Sequence, residues 1–484
     1  MPAIALYALV SLGLIFVWHR FVQPLRVWTA LVLVLLPFCF TGRALLTGRV
    51  YGPIDLPYMS EPLKDYAVER GLEKIDDKVH VYNGTLSDLY MQMIPWQSAV
   101  RKSYAAGEWP LWNPYMLCGN LLAANMQSAP YDPLQTLGML LSHPQALTFV
   151  AAMTFFFAGL FTYGFARSLG CSELAALFAA AAYMFCQILA FFVAWPLGRS
   201  WAIFPLMMLG VRLVVRETNV RAAVILTTAF VLLLVAGHPE SVLHIVAVGA
   251  IYGAFETLRA KRWKAIALAT ICGVIALGLT AIALLPFFEA APHTSEYMIR
   301  HIFYKVHPLP YDSTAVAKRA GLSLFAWYGG QPERDNHTNL WEPTNVRTGT
   351  LPLLLAIAAL FVARKRAETW FFFTLAVLCA WIGLNAWPFA DWLHKVPAFD
   401  ITINDRLSFA AAFGIAMLAG FAIDAWDRRV TWLFALGAVV IAIAAALLRD
   451  TSLAAGVKPE LVTLLTITAI APLVLAALAA RSRY

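Results

Sequence analysis

Long apolar runs recur along the whole chain and are separated by short polar connections. Each run approaches the length of about 20 residues that an α-helix needs to cross a bilayer. The pattern predicts an all-α polytopic membrane protein with about 13 transmembrane helices. Their approximate bounds are 3–19, 27–46, 147–167, 173–194, 199–216, 221–236, 241–258, 264–287, 349–363, 368–387, 406–425, 430–448 and 460–480.

Two segments interrupt this pattern, residues 47–146 and 288–348. Both are too long to be simple connectors between helices. We expect them to be extracytoplasmic loops that carry short amphipathic helices. We predict a single membrane domain over residues 1–484, in which the first loop is catalytic and the second covers the substrate.

Composition agrees with a membrane protein. Of the 484 residues, 61% are hydrophobic and 13% are charged, whereas soluble domains carry about 25% charged residues. The first apolar run, from Ile4 to Trp18, has no basic region before it and no small-residue cleavage site after it. It therefore predicts a retained helix and not a signal peptide. The six cysteines show no CxxC spacing, which favours packing roles over a metal or disulfide framework.

The distribution of Lys and Arg predicts the orientation, because short cytoplasmic loops of membrane proteins are enriched in basic residues. One alternating set of connections carries Arg20, Arg26, Arg167, Arg212, Arg216, Arg221, Arg259, Lys261, Arg262, Lys264, Arg364, Lys365, Arg366, Arg428, Arg429, Arg481 and Arg483. The short loops of the other set carry only Arg199, Lys395, Arg406, Arg449 and Lys458. We therefore predict the N-terminus outside and the C-terminus in the cytoplasm. The net charge of +8 follows from this topology, so nucleic acid is not an expected partner.

The first long segment contains a predicted surface helix. Apolar side chains recur at helical spacing between residues 86 and 104, at Leu89, Met93, Trp96 and Val100. This spacing is typical of an amphipathic helix that lies on the membrane surface, and Pro95 predicts a kink or break in it. Asp88 has two interpretations at this stage: an N-cap of that helix or a catalytic carboxylate.

The stretch after this helix is rich in aromatic rings and amides. Trp109, Trp112 and Tyr115 suit either an aromatic belt at the headgroup level or stacking against sugar faces. The uncharged side chains that can recognise hydroxyl groups by hydrogen bonds are Asn113, Asn120, Asn125 and Gln127.

This polar stretch resembles the first outer loop of YfhO-like bacterial membrane proteins, which belong to the GT-C superfamily of glycosyltransferases. The matching residues are Asp88, Pro95, Trp96, Arg101, Gly107, Pro110, Leu111, Trp112, Asn113, Pro114, Tyr115, Gly119, Asn125, Gln127, Ser128, Tyr131 and Pro133. Weaker similarity follows at Gly237-His238-Pro239-Glu240, at Glu342 with Gly349-x-Leu351-Pro352-Leu353, and at Asn404-Asp405-Arg406.

The resemblance implies a GT-C-like fold in the bacterial cytoplasmic membrane, with Asp88 as the catalytic base. The donor would be a sugar linked to polyprenyl phosphate, and the acceptor an envelope glycan, a wall polymer or a lipid. An Asp-x-Asp pair is not present, since Asp76 and Asp77 are adjacent. The sequence therefore predicts no metal ligands, and it leaves a need for a divalent cation open.

Other charged and aromatic residues are candidates for binding substrate. The leaving phosphate demands cations, and these are Arg101, Lys102, Arg199, Arg347 and Arg406, with Arg406 preferred because it opens an apolar helix. Each of them could equally be an interfacial cation that extends to the headgroups. The remaining candidates are Trp96, His238, Glu240 and Glu342. His238 and Glu240 could also be merely water-exposed at a helix end.

Two other classes of function stay open on the sequence. A lipid or sugar transporter, such as a flippase, tends to carry charged features at mid-membrane and internal repeats, which this sequence does not show. A non-catalytic subunit of envelope assembly would keep the enzyme fold without its activity.

Overall fold

The structure is a computed structural model. It describes residues 2–52, 56–59, 61–70, 74–75, 78–79, 86–306 and 346–427, together with scattered positions among 316–323 and 429–474. Nearly half of the predicted span 430–448, and most of the span 460–480 and of the second long loop, therefore lie outside the described residues.

The described residues are overwhelmingly helical. The α-helices are α1 Pro2–Phe21, α2 Val27–Leu35, α3 Phe38–Thr47, α4 Leu63–Glu69, α5 Ile94–Ala105, α6 Pro133–Gly138, α7 His143–Ser168, α8 Glu173–Met184, α9 Gln187–Phe191, α10 Pro196–Arg216, α11 Val220–Val235, α12 Pro239–Ala260, α13 Lys264–Leu279, α14 Ala281–Ala290, α15 Ser295–Val306, α16 Thr350–Val362, α17 Ala367–Gly383, α18 Phe389–Leu393 and α19 Ser408–Asp424.

Short elements complete the backbone. Two antiparallel pairs of two-residue strands occur, β1 Lys74–Ile75 with β2 Lys78–Val79 and β3 Trp112–Asn113 with β4 Asn120–Leu121. Single turns of 3₁₀ or π helix occur at Leu56–Met59, Leu89–Met93, Ala123–Asn125, Ala291–His293, Phe399–Ile401 and Asn404–Leu407.

The chain is an all-α membrane protein by the length and composition of its helices. Within the described residues, five helices are long and apolar enough to cross a membrane, or seven if each of two bent pairs is one span. Four shorter apolar helices, α8, α11, α16 and α17, stand beside them. The figure of about 13 spans stays a prediction.

Three predicted spans differ from the observed helices. The span 27–46 is two helices bent by 73°, and the span 264–287 is bent by 78° after Leu279. Pro37 lies at the first bend, and a proline cannot donate the hydrogen bond that would continue the helix. The span 173–194 ends as α8 at Met184, and the separate helix α9 follows it.

The helices form two compact units. The first comprises residues Met1–Ile54, Ser87–Leu169 and Leu189–His307. Its centre is α10, which packs against α7, α11, α12 and α13. Both α10 and α7 are largely apolar and almost entirely buried, as expected for helices inside a bundle. At Gly210 the backbone of α11 comes so close that a β-carbon would lie 2.8 Å from Leu226 Cα.

The second unit comprises residues Asp55–Leu86, Gly170–Ile188 and Pro308–Tyr484. Its central helix is α19, which packs against α8, α16 and α17. Small residues allow this, because membrane helices gain most from close backbone contact. A β-carbon at Gly414 would lie 2.9 Å from Phe372 O in α17, and one at Gly420 would lie 3.1 Å from Ala175 O in α8.

Buried charge ties α7, α10 and α12 together at one end of the first unit. Glu256 is fully buried and pairs with Arg212 Nη1 at 2.6 Å and with Arg216 Nη2 at 2.8 Å. The hydroxyl of Tyr252 donates to the same carboxylate at 3.1 Å. Arg212 Nε also donates to Ser168 O, at the C-terminus of α7, at 3.1 Å. These arginines, which the sequence marks only as topological signals, thus neutralise a carboxylate and a helix end.

We predict that Glu256→Gln destabilises the protein strongly, because two guanidinium groups lose the one carboxylate they share. Breaking a buried ion pair from one side typically costs about 3–5 kcal/mol. Glu217 pairs with Arg221 at 3.1 Å on the surface, so Glu217→Gln is the matched control, with an expected loss under about 1 kcal/mol. The measurement is the free energy of unfolding in mixed micelles. Equal losses in the two variants would show that the Glu256 network stabilises the protein no more than the surface pair does.

Candidate functional site

Asp88 lies on the predicted surface helix, but it does not cap it. The helical backbone already begins at Ser87, and Asp88 itself is helical, with φ −57° and ψ −31° and no capping hydrogen bond from its side chain. The interpretation of Asp88 as an N-cap is therefore wrong. The carboxylate is half-buried and accepts a hydrogen bond from Gln92 Nε2 at 3.2 Å.

The helix that carries Asp88 is amphipathic as predicted, and its apolar face packs on the rest of the loop. Leu89, Met93 and Val100 are buried, and Val100 packs with Leu122 from the later part of the loop. Half-buried Trp96 joins the same cluster. Asp88 therefore belongs to a folded loop and not to an unstructured connector.

Pro95 does not break this helix. The turn before it, Leu89–Met93, is a π-helix in which Ile94 N donates to Leu89 O. Proline has no N–H, and its ring would overlap the carbonyl of the fourth residue before it. The wider π turn accommodates that ring, and such turns recur at functional sites. At the position of the predicted kink, the helix therefore changes from π to α.

Arg101 has a structural role. Its guanidinium donates to the backbone carbonyls of Gly138 at 2.8 Å, Leu141 at 2.7 Å and Met139 at 3.3 Å. These carbonyls lie at the C-terminal end of α6, where free acceptors and negative dipole charge favour a cation. Arg101 therefore holds α6 against the Asp88 helix, and these bonds use both of its terminal nitrogens.

The aromatic stretch forms a small hairpin. Trp112 pairs with Leu121 and Asn113 with Asn120. Buried Asn113 accepts a hydrogen bond from Tyr115 N at 3.0 Å. The rings of Trp109, Trp112 and Tyr115 are exposed, and Lys102 Nζ stands 4.0 Å from the centre of the Tyr115 ring. The segment thus exposes three aromatic rings that are available for contact with another molecule.

Asn125 and Gln127 lie in a strained turn that follows the hairpin along the chain. Asn125 Oδ1 accepts from Ser128 N at 2.8 Å, while Gln127 is half-buried. Met126 and Ala129 both have positive φ, 58° and 44°, which non-glycine residues adopt only when their surroundings hold them there. The side-chain oxygen of Asn125 is thus engaged in forming the turn.

The Gly-His-Pro-Glu sequence at 237–240 docks this turn onto α12. Gly237 has φ +96°, and a β-carbon there would lie 2.7 Å from Met126 O and 2.9 Å from Ala129 Cβ. His238 is the N-cap of α12 and accepts from Ser241 N through Nδ1 at 3.1 Å. Because Nδ1 accepts, this histidine carries its proton on Nε2. It therefore has a capping role that the sequence interpretation did not assign.

Glu240 pairs with a cation of the second long segment. Its Oε2 lies 2.8 Å from Arg300 Nη1, and Arg300 Nε lies 2.6 Å from Glu296. The position of Glu240 in the first turn of α12 also suits the helix dipole. The pair joins α15 to α12.

Sequence reasoning missed Asp132. Its Oδ2 lies 2.5 Å from Arg199 Nε, and the two side chains are only 6% and 2% exposed. Asp132 also caps α6, since Oδ1 accepts from Leu134 N at 2.9 Å. Burial raises the pKa of the Asp132 carboxyl, and the Arg199 charge and the backbone amides oppose that rise. The available signal was an Asp-Pro pair at a helix start together with an arginine in an apolar run.

The remaining predicted residues are Arg406 and Glu342. Arg406 is half-buried in the second compact unit, in the turn Asn404–Leu407. That turn is organised by buried Asn404, whose Nδ2 donates to Phe399 O at 2.8 Å. Glu342 lies outside the described residues. Asp88, Trp96, Arg101, the hairpin residues, Asn125, Gln127, His238 and Glu240 all belong to the first unit.

The described part of the chain contains no group of three His, Cys, Asp or Glu side chains that could hold a metal ion. In comparisons with known proteins, no family model, no curated protein and no solved structure matches the chain.

We predict that Gly237→Ala destabilises the loop by steric overlap in addition to backbone strain. Gly107→Ala is the matched control, because Gly107 also has positive φ, +74°, but a β-carbon there would meet no described atom within 4 Å. Left-handed strain costs about 1–2 kcal/mol in either variant, and the overlap at Gly237 adds about 1–3 kcal/mol. Proteolysis of the segment 109–135 in intact protein measures the difference. Equal protection in both variants would contradict docking of the turn on Gly237.

Proposed function

We propose that the chain is a glycosyltransferase that moves a sugar from a polyprenyl-phosphate-linked donor to a cell-envelope acceptor. The site would be at the outer face of the bacterial cytoplasmic membrane, with the N-terminus outside and the C-terminus cytoplasmic. One observation supports this most: Asp88 is held, half-buried, on a helix that packs into a folded loop with exposed aromatic rings. Sugar transfer is the activity that the resemblance of that loop to YfhO-like proteins implies.

The proposed chemistry is a direct displacement with Asp88 as the base. The hydroxyl of the acceptor attacks the anomeric carbon of the sugar while the Asp88 carboxylate takes its proton. A new carbon–oxygen bond forms, and the bond between the sugar and the phosphate oxygen breaks. The electron pair leaves with polyprenyl phosphate, and the anomeric configuration inverts.

The loop also offers groups that suit sugar binding. Exposed indole and phenol rings stack well on the C–H faces of sugars, and three such rings stand on the hairpin, those of Trp109, Trp112 and Tyr115. Gln127, half-buried in the turn that follows the hairpin, has an amide that can bind hydroxyl groups. A divalent cation would assist the leaving phosphate if the reaction needs one.

A buried ion pair beside a cavity also favours a second function, lipid or sugar transport. The pair Asp132–Arg199 lines a cavity with side chains of α7, α10 and α11, and ionisable groups among membrane helices often mark a substrate path. The two functions differ in outcome: a flippase moves its substrate across liposomes without cleaving the sugar–phosphate bond.

We predict that Asp88→Asn abolishes sugar transfer, because the amide cannot accept the proton of the acceptor. The measurement is release of polyprenyl phosphate by full-length protein in proteoliposomes, with an expected loss of at least about 100-fold. Glu108→Gln is the control, since Glu108 is an exposed carboxylate of the same loop, and it should retain full activity. Turnover of Asp88→Asn at the wild-type rate would remove Asp88 from the mechanism, and flux without transfer would favour transport.

A further inference from the structure

The helix α14 leaves the helix before it at a steep angle. The segment that begins at Ala281 is bent by 78° from α13. When α13 crosses the membrane along its normal, its 16 residues advance about 24 Å, which is most of the hydrocarbon thickness of a bilayer. The 10 residues of α14 add only about 3 Å in the same direction. In that arrangement α14 runs nearly parallel to the membrane plane, at the end of α13.

One face of α14 packs on the protein, and the opposite face is exposed. Leu284 is buried in a cluster with Met126 of the first long segment. Ile282, Leu285 and Phe288 lie on the other side of the helix and are exposed. α14 is therefore apolar on both faces, and only one of them is covered by the described residues.

The exposed face of α14 continues the exposed apolar surface of α13. Ile271, Val274 and Leu279 of α13 are all more than half exposed, as expected for the lipid-facing side of a membrane helix. At the bend, exposed Leu279 is followed by buried Thr280 and then by exposed Ile282. The surface that contacts lipid along α13 thus passes to α14 without a polar interruption.

The next helix, α15, turns its polar side chains toward the protein. Tyr297, Arg300 and His301 share one face and are half-buried. Arg300 pairs with Glu240 of α12 at 2.8 Å, and the rings of Tyr297 and His301 are stacked with their centres 5.0 Å apart. Charge and hydrogen bonding therefore hold the polar face of α15 against the first unit.

The opposite face of α15 is apolar and exposed. Met298, Ile299 and Ile302 are 51%, 57% and 64% exposed. A surface helix in water has the reverse arrangement, with its apolar stripe against the core and its polar face outward. A contiguous exposed apolar face marks contact with a membrane or with another protein.

Lipid is the partner that the surroundings favour. The exposed faces adjoin the lipid-facing surface of α13, and Glu289, in the last turn of α14, is exposed as well. A helix in the interfacial plane buries its apolar face about 5–10 Å deep, while charged groups still reach the headgroups and water. Such a depth accommodates both the apolar side chains and this carboxylate.

We propose that α14 and α15 lie in the plane of the membrane surface, with their exposed apolar faces among the acyl chains of membrane lipids. The beginning of the second long segment is then a membrane-surface element and not a cover over the substrate. Because α14 also packs against Met126, the turn of the first long segment is held near the lipid headgroups. That this surface is the outer one follows only from the predicted topology, and the arrangement does not depend on sugar transfer.

Nitroxide labels on single introduced cysteines test the proposal in full-length protein reconstituted into liposomes of phosphatidylethanolamine and phosphatidylglycerol. The background protein carries Cys39→Ala and Cys118→Ser, because the other four cysteines are buried. The measured quantity is the ratio of collision rates of the label with oxygen, which concentrates in lipid, and with a nickel chelate, which stays in water. The labelled positions are Leu285→Cys, Phe288→Cys, Ile299→Cys and Ile302→Cys.

Two reference positions calibrate this ratio. Val274→Cys, on the exposed side of α13, gives the value for lipid, and Lys365→Cys, exposed in the short connection between α16 and α17, gives the value for water. We expect the ratio at all four test positions to exceed that at Lys365 by at least about fivefold, and to stay below that at Val274, because an interfacial helix lies shallower than a span.

Three results would overturn the proposal. Ratios equal to that at Lys365 would place the faces in water. Protection of all four labels from both reagents would show that another protein or a second copy of the chain covers the faces. Ratios equal to that at Val274 would make α14 and α15 part of a crossing span. None of these readings requires activity, so a failure of the proposed transferase leaves the test unaffected.

Discussion

The buried ion pair between Asp132 and Arg199 is the interaction on which the first compact unit depends most. It joins a polar loop to the central helix α10 at a distance of 2.5 Å, and both side chains are almost wholly excluded from solvent. Neither charge could stay buried alone, because the loss of one partner leaves the other without compensation. The loop must therefore pack against α10 at the position of Arg199. The close approach of Gly237 to Met126 and Ala129 fixes the same turn from the side of α12.

Arginines close helix ends throughout this unit by the same physics. Carbonyl groups at a helix C-terminus have no partner within the helix and carry negative dipole charge. Arg101 satisfies them for α6, Arg212 for α7 and Arg221 for α1. Arg212 and Arg221, which count as topology signals, and Arg101, a predicted phosphate ligand, thus donate hydrogen bonds to backbone carbonyls of the fold. Arg199 is wholly buried beside a small cavity, and neither its Nε nor its Nη1 has hydrogen-bond geometry to a described residue.

The sequence predicted best those features that depend on residues close together in the chain. The spacing of Leu89, Met93 and Val100 predicted the surface helix, and those side chains are buried. Local signals were insufficient where the partner is remote. Asp132 before Pro133 looks like an ordinary helix cap, and only its contact with Arg199, far along the chain, gives it a second role. Arg101 looked like a phosphate ligand because nothing in the sequence places it against the carbonyls of α6. Asp88 was ambiguous until its helical backbone excluded the cap.

We infer that the segment 109–135 is a folded platform for the proposed site and not a connector. Hydrogen–deuterium exchange of the full-length protein in nanodiscs tests it most directly, because backbone amides inside the segment donate to its own acceptors. Leu122 N donates to Leu111 O at 2.9 Å, Ala129 N to Met126 O at 2.8 Å and Ser128 N to Asn125 Oδ1 at 2.8 Å. We expect peptides that cover these amides to exchange at least about 100-fold more slowly than an unstructured chain, since exchange then requires local opening. Exchange at the rate of an unstructured chain throughout 109–135 would contradict the platform and the site built on it.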